Sequence, residues 1–118
     1  MGEVKKIRGG ALLARALQEK GIEHVFTLSG GFCNPALEGF MECQMKVINC
    51  PHEQVAGHFA DGHTRITRKP AVCLVGPEGF ANAVPAMMEA WGERSPVIFV
   101  TGSSTLKRQG SGGFKAID

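Results

Sequence analysis

The chain has 118 residues, 43% of them hydrophobic and 20% charged, with a formal net charge of +2. That size and balance fit one soluble globular domain with a modest core, and so small a charge argues against nucleic-acid or anionic-membrane partners. The basic residues are scattered, apart from Lys5, Lys6 and Arg8 and the pair Lys107 and Arg108, which read as solvated ends or loops. The polar N-terminus has no apolar signal region, and no apolar run is long enough to span a bilayer. Cys33, Cys43, Cys50 and Cys73 show no C-x-x-C spacing, so neither a zinc knuckle nor a redox dithiol is signalled, and a reducing, cytoplasmic setting is expected.

In chain order, Ala11 to Lys20 has helical spacing, with Leu13, Ala16 and Leu17 on the apolar face. Gly21 stands where a left-handed residue ends a helix. His24 to Leu28 is a strand ending in the tight loop Ser29-Gly30-Gly31. A short helix over Pro35–Met41 follows, with Asn34 as N-cap and Pro35 in its first turn. Lys46 to Asn49 is a second strand, broken by Pro51. Glu53 to Arg68 reads as a helix with Val55, Phe59 and Ile66 on one face, Ala56 and Ala60 beside them, and an Asp61–Arg65 pair on the outside. Ala71 to Val75 is a continuous apolar run, as suits a strand covered on both faces. Phe80, Ala83, Val84, Met87, Met88 and Trp91 have the strongest helical period, and the methionines and Trp91 are expected in the core. Pro85 implies that this helix starts there or bends there. Pro96 to Thr101 is a fourth strand, and the Gly/Ser-rich stretch at about 103–113 is expected to be mobile. Phe114 to Asp118 forms no clear element.

Strands alternating with helices imply a three-layer α/β fold, a parallel sheet with helices on both faces. In such sheets ligands sit beyond the carboxyl ends of the strands. Four loops therefore converge on one edge: Ser29-Gly30-Gly31, Cys50 to Glu53, Gly76 to Gly79, and Gly102-Ser103-Ser104. The chain lacks a dinucleotide fingerprint, a Walker A loop and a nucleophile elbow. His52, His58 and His63 are spaced so that no two share a helix face as zinc ligands, so no metal ligands are assigned. The remaining candidate is Glu53, which opens a helix at that edge. Its position alone is equally that of a carboxylate favouring the helix dipole.

Several segments, in order and over nearly the whole chain, resemble the thiamine-diphosphate-dependent enzymes of the acetolactate synthase type. These are Gly10-Ala11-Leu12 through Glu23-His24-Val25-Phe26, Ser29-Gly30-Gly31, Pro51-His52-Glu53-Gln54-Val55-Ala56-Gly57-His58-Phe59-Ala60-Asp61-Gly62, Lys69-Pro70-Ala71-Val72-Cys73-Leu74, and Ser95-Pro96-Val97-Ile98-Phe99-Val100-Thr101-Gly102. Gly102-Ser103-Ser104 is closer to the 2-hydroxyacyl-CoA lyase and oxalyl-CoA decarboxylase branch. The resemblance implies a flavodoxin-like pyrimidine-binding domain over residues 1–118. It implies that Glu53 hydrogen-bonds N1′ of the aminopyrimidine, favouring the tautomer whose 4′-nitrogen takes the C2 proton of the thiazolium. A 2-keto acid or acyl compound is then the substrate of the complete enzyme. Gly30 and Gly31 would let backbone approach the ring, or simply make a tight turn. Asn82 matches a residue near the pyrimidine pocket, or caps a helix.

The family's Gly-Asp-Gly motif for Mg²⁺ and diphosphate belongs to a different domain, and Ala60-Asp61-Gly62, inside a helix, is not it. The implied partner is therefore a diphosphate-binding domain or a second copy in a homodimer, and the lone domain is expected to be inactive. The turn Gly76 to Gly79 is one residue shorter than the family's, and Lys115 stands where the family commonly has a substrate-facing Gln. The chain stops before the family's closing helix and strand, so a C-terminally truncated sheet with an open, self-associating edge is expected. A non-catalytic interaction module that kept the fold is the alternative, motivated by Lys115 and Ala116. An unrelated flavodoxin-like domain is the third reading.

Overall fold

The first helix, α1 (Gly9–Glu19), ends as its sequence dictates. Gly21 adopts φ +79°. Its amide donates to the Gln18 carbonyl at 2.9 Å while the Ile22 amide donates to that of Leu17 at 3.3 Å, a Schellman closure that turns the chain into the sheet. These features come from a computed structural model that describes residues 6–113; the expectations for Phe114 to Asp118, including Lys115, lie outside the described residues. Strand β1 (His24–Thr27) leads to a 3-10 turn at Gly31–Cys33 and then to α2 (Asn34–Glu42). Asn34 does not cap α2. The 3-10 turn runs directly into the helix, so Cys33 takes the cap position and Asn34 is already helical, with no side-chain cap bond.

Strands β2 (Lys46–Asn49), β3 (Ala71–Val75) and β4 (Val97–Thr101) alternate with α3 (Glu53–Thr67) and α4 (Gly79–Gly92). All pairings are parallel and the strand order is β2-β1-β3-β4. Helices thus cover both faces of a parallel sheet, the fold class the sequence implies. Strand β3 is buried along its whole length, which accounts for its unbroken apolar run. Its side chains alternate between two cores. Val72 and Leu74, with Val25 of β1, meet Ala14, Leu17 and Phe40 from α1 and α2. Ala71, Cys73 and Val75, with Phe26, meet Ala56, Ala60 and Ala83 from α3 and α4.

Helices α1 and α2 cross where only glycines fit: a Cβ on Gly10 would run into the Pro35 carbonyl, and one on Gly39 into that of Gly10. Arg8 closes the outside of this crossing with ion pairs to Glu38, at 2.6 Å, and to Glu42.

Helices α3 and α4 pack through small residues instead. A Cβ on Gly57 would lie 2.5 Å from that of Ala86. This close packing overturns three sequence expectations. In α3 the buried residues are Ala56, Gly57, Ala60, Asp61 and Thr64, whereas Phe59 and Ile66 are exposed. In α4 Ala83, Ala86 and Ala90 are buried, while Met88 and Trp91 are exposed, Trp91 at 82%. The bulk between these layers comes from the sheet, from Phe26 and Phe99, so the helices present alanine to it. The Asp61–Arg65 pair forms, at 2.7 Å, but Asp61 is buried and does not lie on the outside. Burial opposes its ionisation. The hydrogen bond and charge of the Arg65 guanidinium outweigh that and hold its carboxyl below the usual aspartate range. Helix α4 begins at Gly79 and runs through Pro85, so its regular part starts earlier than Pro85. Among the described residues no helix is long and apolar enough to cross a membrane.

Candidate functional site

Because every strand runs the same way, the four carboxyl ends and their loops lie on one edge, as expected. Backbone bonds tie them together. The Cys50 amide donates to the Thr27 carbonyl at 2.7 Å, and the Gly102 amide to that of Val75 at 3.1 Å. The Thr101 hydroxyl donates to the Gly76 carbonyl at 3.2 Å. Helices α3 and α4 both start on this edge, with their amide ends toward it.

Glu53 is the first residue of α3, and its side chain keeps only 14% of its exposure. The helix start is fixed by His52, whose Nδ1 accepts the Gln54 backbone amide at 3.1 Å. That capping role was not foreseen; Pro51-His52 ahead of a helix was its only sequence signal. A cap lone pair on Nδ1 places the ring proton on Nε2, which lies 4.0 Å from Glu53 Oε2. Asn82, in the first turns of α4, donates from Nδ2 to the same oxygen at 3.1 Å. Asn82 does not cap α4; the cap position belongs to Glu78, and the Asn82 amide goes to Glu53 instead. The structure therefore joins two of the four candidate residues. Gly30 and Gly31 lie just beyond the end of β1, where added Cβ atoms would meet nothing within 4 Å.

Beneath the carboxylate, Cys73 is pushed up to about 12 by burial, with the nearby Cys50 and Glu53 adding to the effect, so it stays a thiol at neutral pH. His63 is a packing residue, its ring 4.3 Å from that of His24 and 5.7 Å from that of Phe26. Among the described residues no group of three or more His, Cys, Asp or Glu is arranged to hold a metal ion. A hollow of about 640 Å³ opens between Ala90, Trp91, Arg94, Ser95 and Val97, and Glu53 does not line it.

A doubly covered parallel sheet with one seated carboxylate on its carboxyl edge defines a ligand-binding α/β domain of the open-sheet class. Residues 7–118 match the family "Thiamine pyrophosphate enzyme, N-terminal TPP binding domain", and the chain belongs to it. It is 36% identical over 113 residues to a probable acetolactate synthase of Mycobacterium bovis, a match covering 95% of the chain and 21% of that protein. It is 35% identical over 112 residues to 2-hydroxyacyl-CoA lyase 2 of Mus musculus, covering 93% of the chain and 18% of that protein. A sulfoacetaldehyde acetyltransferase of Roseovarius nubinhibens is 33% identical over 106 residues, 88% of the chain and 17% of that protein. The chain thus spans about a fifth of the length of these curated relatives, 21% at most among the three. The resemblance seen in the sequence is borne out, and an unrelated flavodoxin-like domain is excluded.

The residues present fit one end of this cofactor. A largely buried carboxyl suits a heteroaromatic ring nitrogen with which it can share a proton. The diphosphate end does not fit: the loops Ser29-Gly30-Gly31, Cys50 to Glu53, Gly76 to Gly79 and Gly102-Ser103-Ser104 contain no Lys or Arg, and two of them carry glutamates.

Proposed function

We propose that this domain contributes the proton-sharing half of a thiamine diphosphate site. When bound, the cofactor supplies a nucleophilic carbon and an electron sink for a 2-keto acid or acyl substrate. Glu53 shares a proton with N1′ of the aminopyrimidine. Asn82 holds Oε2 in place, so the carboxyl meets the ring without searching rotamers. Partial burial makes that hydrogen bond stronger than it would be in water. Gly30 and Gly31 leave open space at the neighbouring strand end for the ring. The single observation that carries this reading is the Glu53–Asn82 pair, a carboxylate seated at the sheet mouth.

A different domain, in a homodimer or a longer chain, brings the Mg²⁺ and the diphosphate contacts. The exposed row Phe80, Val84, Met88 and Trp91 along α4, which starts beside Glu53, supports such pairing. Four free cysteines accord with a reducing cytoplasm. A module that kept only the fold is not favoured, because Glu53 and its partner Asn82 are both retained.

The test adds a diphosphate-binding domain in trans. Decarboxylase or carboligase activity is expected to appear and to disappear in Glu53→Gln. Calorimetry with thiamine diphosphate and Mg²⁺ is expected to show weak binding to the lone chain; binding as tight as that of the reconstituted pair would overturn the half-site account.

A further inference from the structure

Most glycines of this chain are explained by turns or by helix crossing. Gly79 is not. It is buried, it is the first residue of α4, and it is not one of the left-handed glycines, which are Gly21, Gly110 and Gly112. Its backbone therefore accepts an ordinary L-residue. What excludes a side chain is Glu53. A Cβ on Gly79 would lie 2.5 Å from Glu53 Oε1, 2.7 Å from Cγ and 2.9 Å from Cδ, all well inside van der Waals contact. The Glu53 side chain lies flat across the bare backbone at the head of α4. From the next turn of the same helix, Asn82 Nδ2 engages Oε2 at 3.1 Å.

We infer that Gly79 is a positioning residue for Glu53: the missing side chain at the head of α4 is the seat in which the carboxyl rests, and Asn82 fixes it there. This rests on the proposed proton-sharing role of Glu53. The contrast with Gly57 sharpens the point. A Cβ on Gly57 would meet Ala86 and the Phe99 ring, which are fixed core atoms. The three atoms nearest a Cβ on Gly79 all belong to one flexible side chain, which can swing away. Gly79→Ala is therefore expected to spare the fold and evict the carboxylate. Replacing glycine by alanine at a helical position leaves Tm unchanged or raises it by a few degrees. The seat and the fold thus respond with opposite signs, which a purely structural glycine would not show.

The first experiment needs no cofactor. In the full chain, the Asn82 side-chain amide is followed by ¹H–¹⁵N NMR, with Glu53→Ala marking its position when the bond is absent. Gly79→Ala is expected to move that amide to the Glu53→Ala position with Tm kept or raised. A wild-type Asn82 resonance in Gly79→Ala overturns the inference. Should Gly79→Ala fail to fold, the double variant Glu53→Ala/Gly79→Ala decides: restored folding shows that Glu53 was the obstacle, and continued unfolding overturns the inference.

The second experiment separates this inference from the proposed function. With a diphosphate-binding domain in trans, Gly79→Ala is expected to lower kcat on the order of 10²-fold, and to add nothing to Glu53→Gln, because both changes remove the same interaction. Additive losses would place the effect of Gly79 elsewhere and overturn the inference. If the Asn82 amide moves as expected but Glu53→Gln leaves activity intact, the seat stands and the proton-sharing role fails.

Discussion

The two helical layers use opposite packing chemistry. On one face of the sheet, α1 and α2 bury large side chains: Phe40 and Leu17 lie in the core, with Leu13 and Leu37 packed against it. Their outer seam is closed by Arg8 with Glu38 and Glu42, and Ile7, Leu12 and Met41 are exposed there. On the other face, α3 and α4 bury alanines and turn their large residues outward, with Phe80, Val84, Met88 and Trp91 in one row along α4. The first layer is finished as a domain surface. The second carries the site at its helix starts and an exposed apolar row, the face that the proposed pairing with another domain would use.

The largest effect should come from the finished layer. Phe40→Ala removes a fully buried ring and is expected to destabilise the chain by about 3–5 kcal/mol in urea or guanidinium unfolding. If that variant proves benign, the α1–α2 layer is not the core described. In the second layer the expected weak point is polar. Arg65→Met leaves Asp61 buried without its cation and should cost about 1–3 kcal/mol at neutral pH. The sign of the pH dependence follows from the depressed folded-state value of Asp61. Between the folded and unfolded values the unfolded chain binds more protons, so stability rises with pH there. The contribution is full above the ordinary aspartate range and is lost as pH falls through the lower folded value. The penalty of Arg65→Met should therefore shrink in acid, as read from unfolding curves across that window. The smallest effect is expected at Trp91. Despite its size, Trp91→Ala should change the stability of the lone chain by no more than about 0.5 kcal/mol, because the ring is exposed, while weakening association with a diphosphate-binding domain in a pull-down or titration. A large stability loss at Trp91 would erase the contrast between the layers.

Much of the fold was legible in the sequence because strands and caps carry local signals. The apolar run of β3 and the Gly21 closure are written in consecutive residues, and the parallel order of strands and helices then brings the loops to one edge. The facing of α4 was not legible. Ala83, Ala86 and Ala90 share the helical period of Val84, Met88 and Trp91, and periodicity favours the larger residues. Only the bulk of Phe26 and Phe99, on distant strands, decides that alanines go inward. Asp61 was misplaced for a related reason: the close approach of α3 to its neighbours buries a carboxylate that spacing alone puts outside.

The site divides in the same way. Glu53 could be picked out because it opens a helix at a strand end within a recognisable run of residues. Asn82 was marked, but its partner was not, since a hydrogen bond across two helices leaves no spacing signal. His52 as the cap of α3 is visible only once the helix start is fixed. The sequence marks Gly79 only as part of a turn, and the inferred reason for its being glycine lies far back in the chain, in the side chain of Glu53.

The central claim is that Glu53 governs the proton at the reactive end of the cofactor. The most direct measurement is the exchange rate of the thiamine diphosphate C2 proton with solvent deuterium, followed by NMR after quenching, on this chain paired with a diphosphate-binding domain and Mg²⁺. Glu53→Gln should slow that exchange by roughly 10²- to 10⁴-fold with Tm unchanged. Exchange in Glu53→Gln as fast as in the wild-type pair would contradict the account.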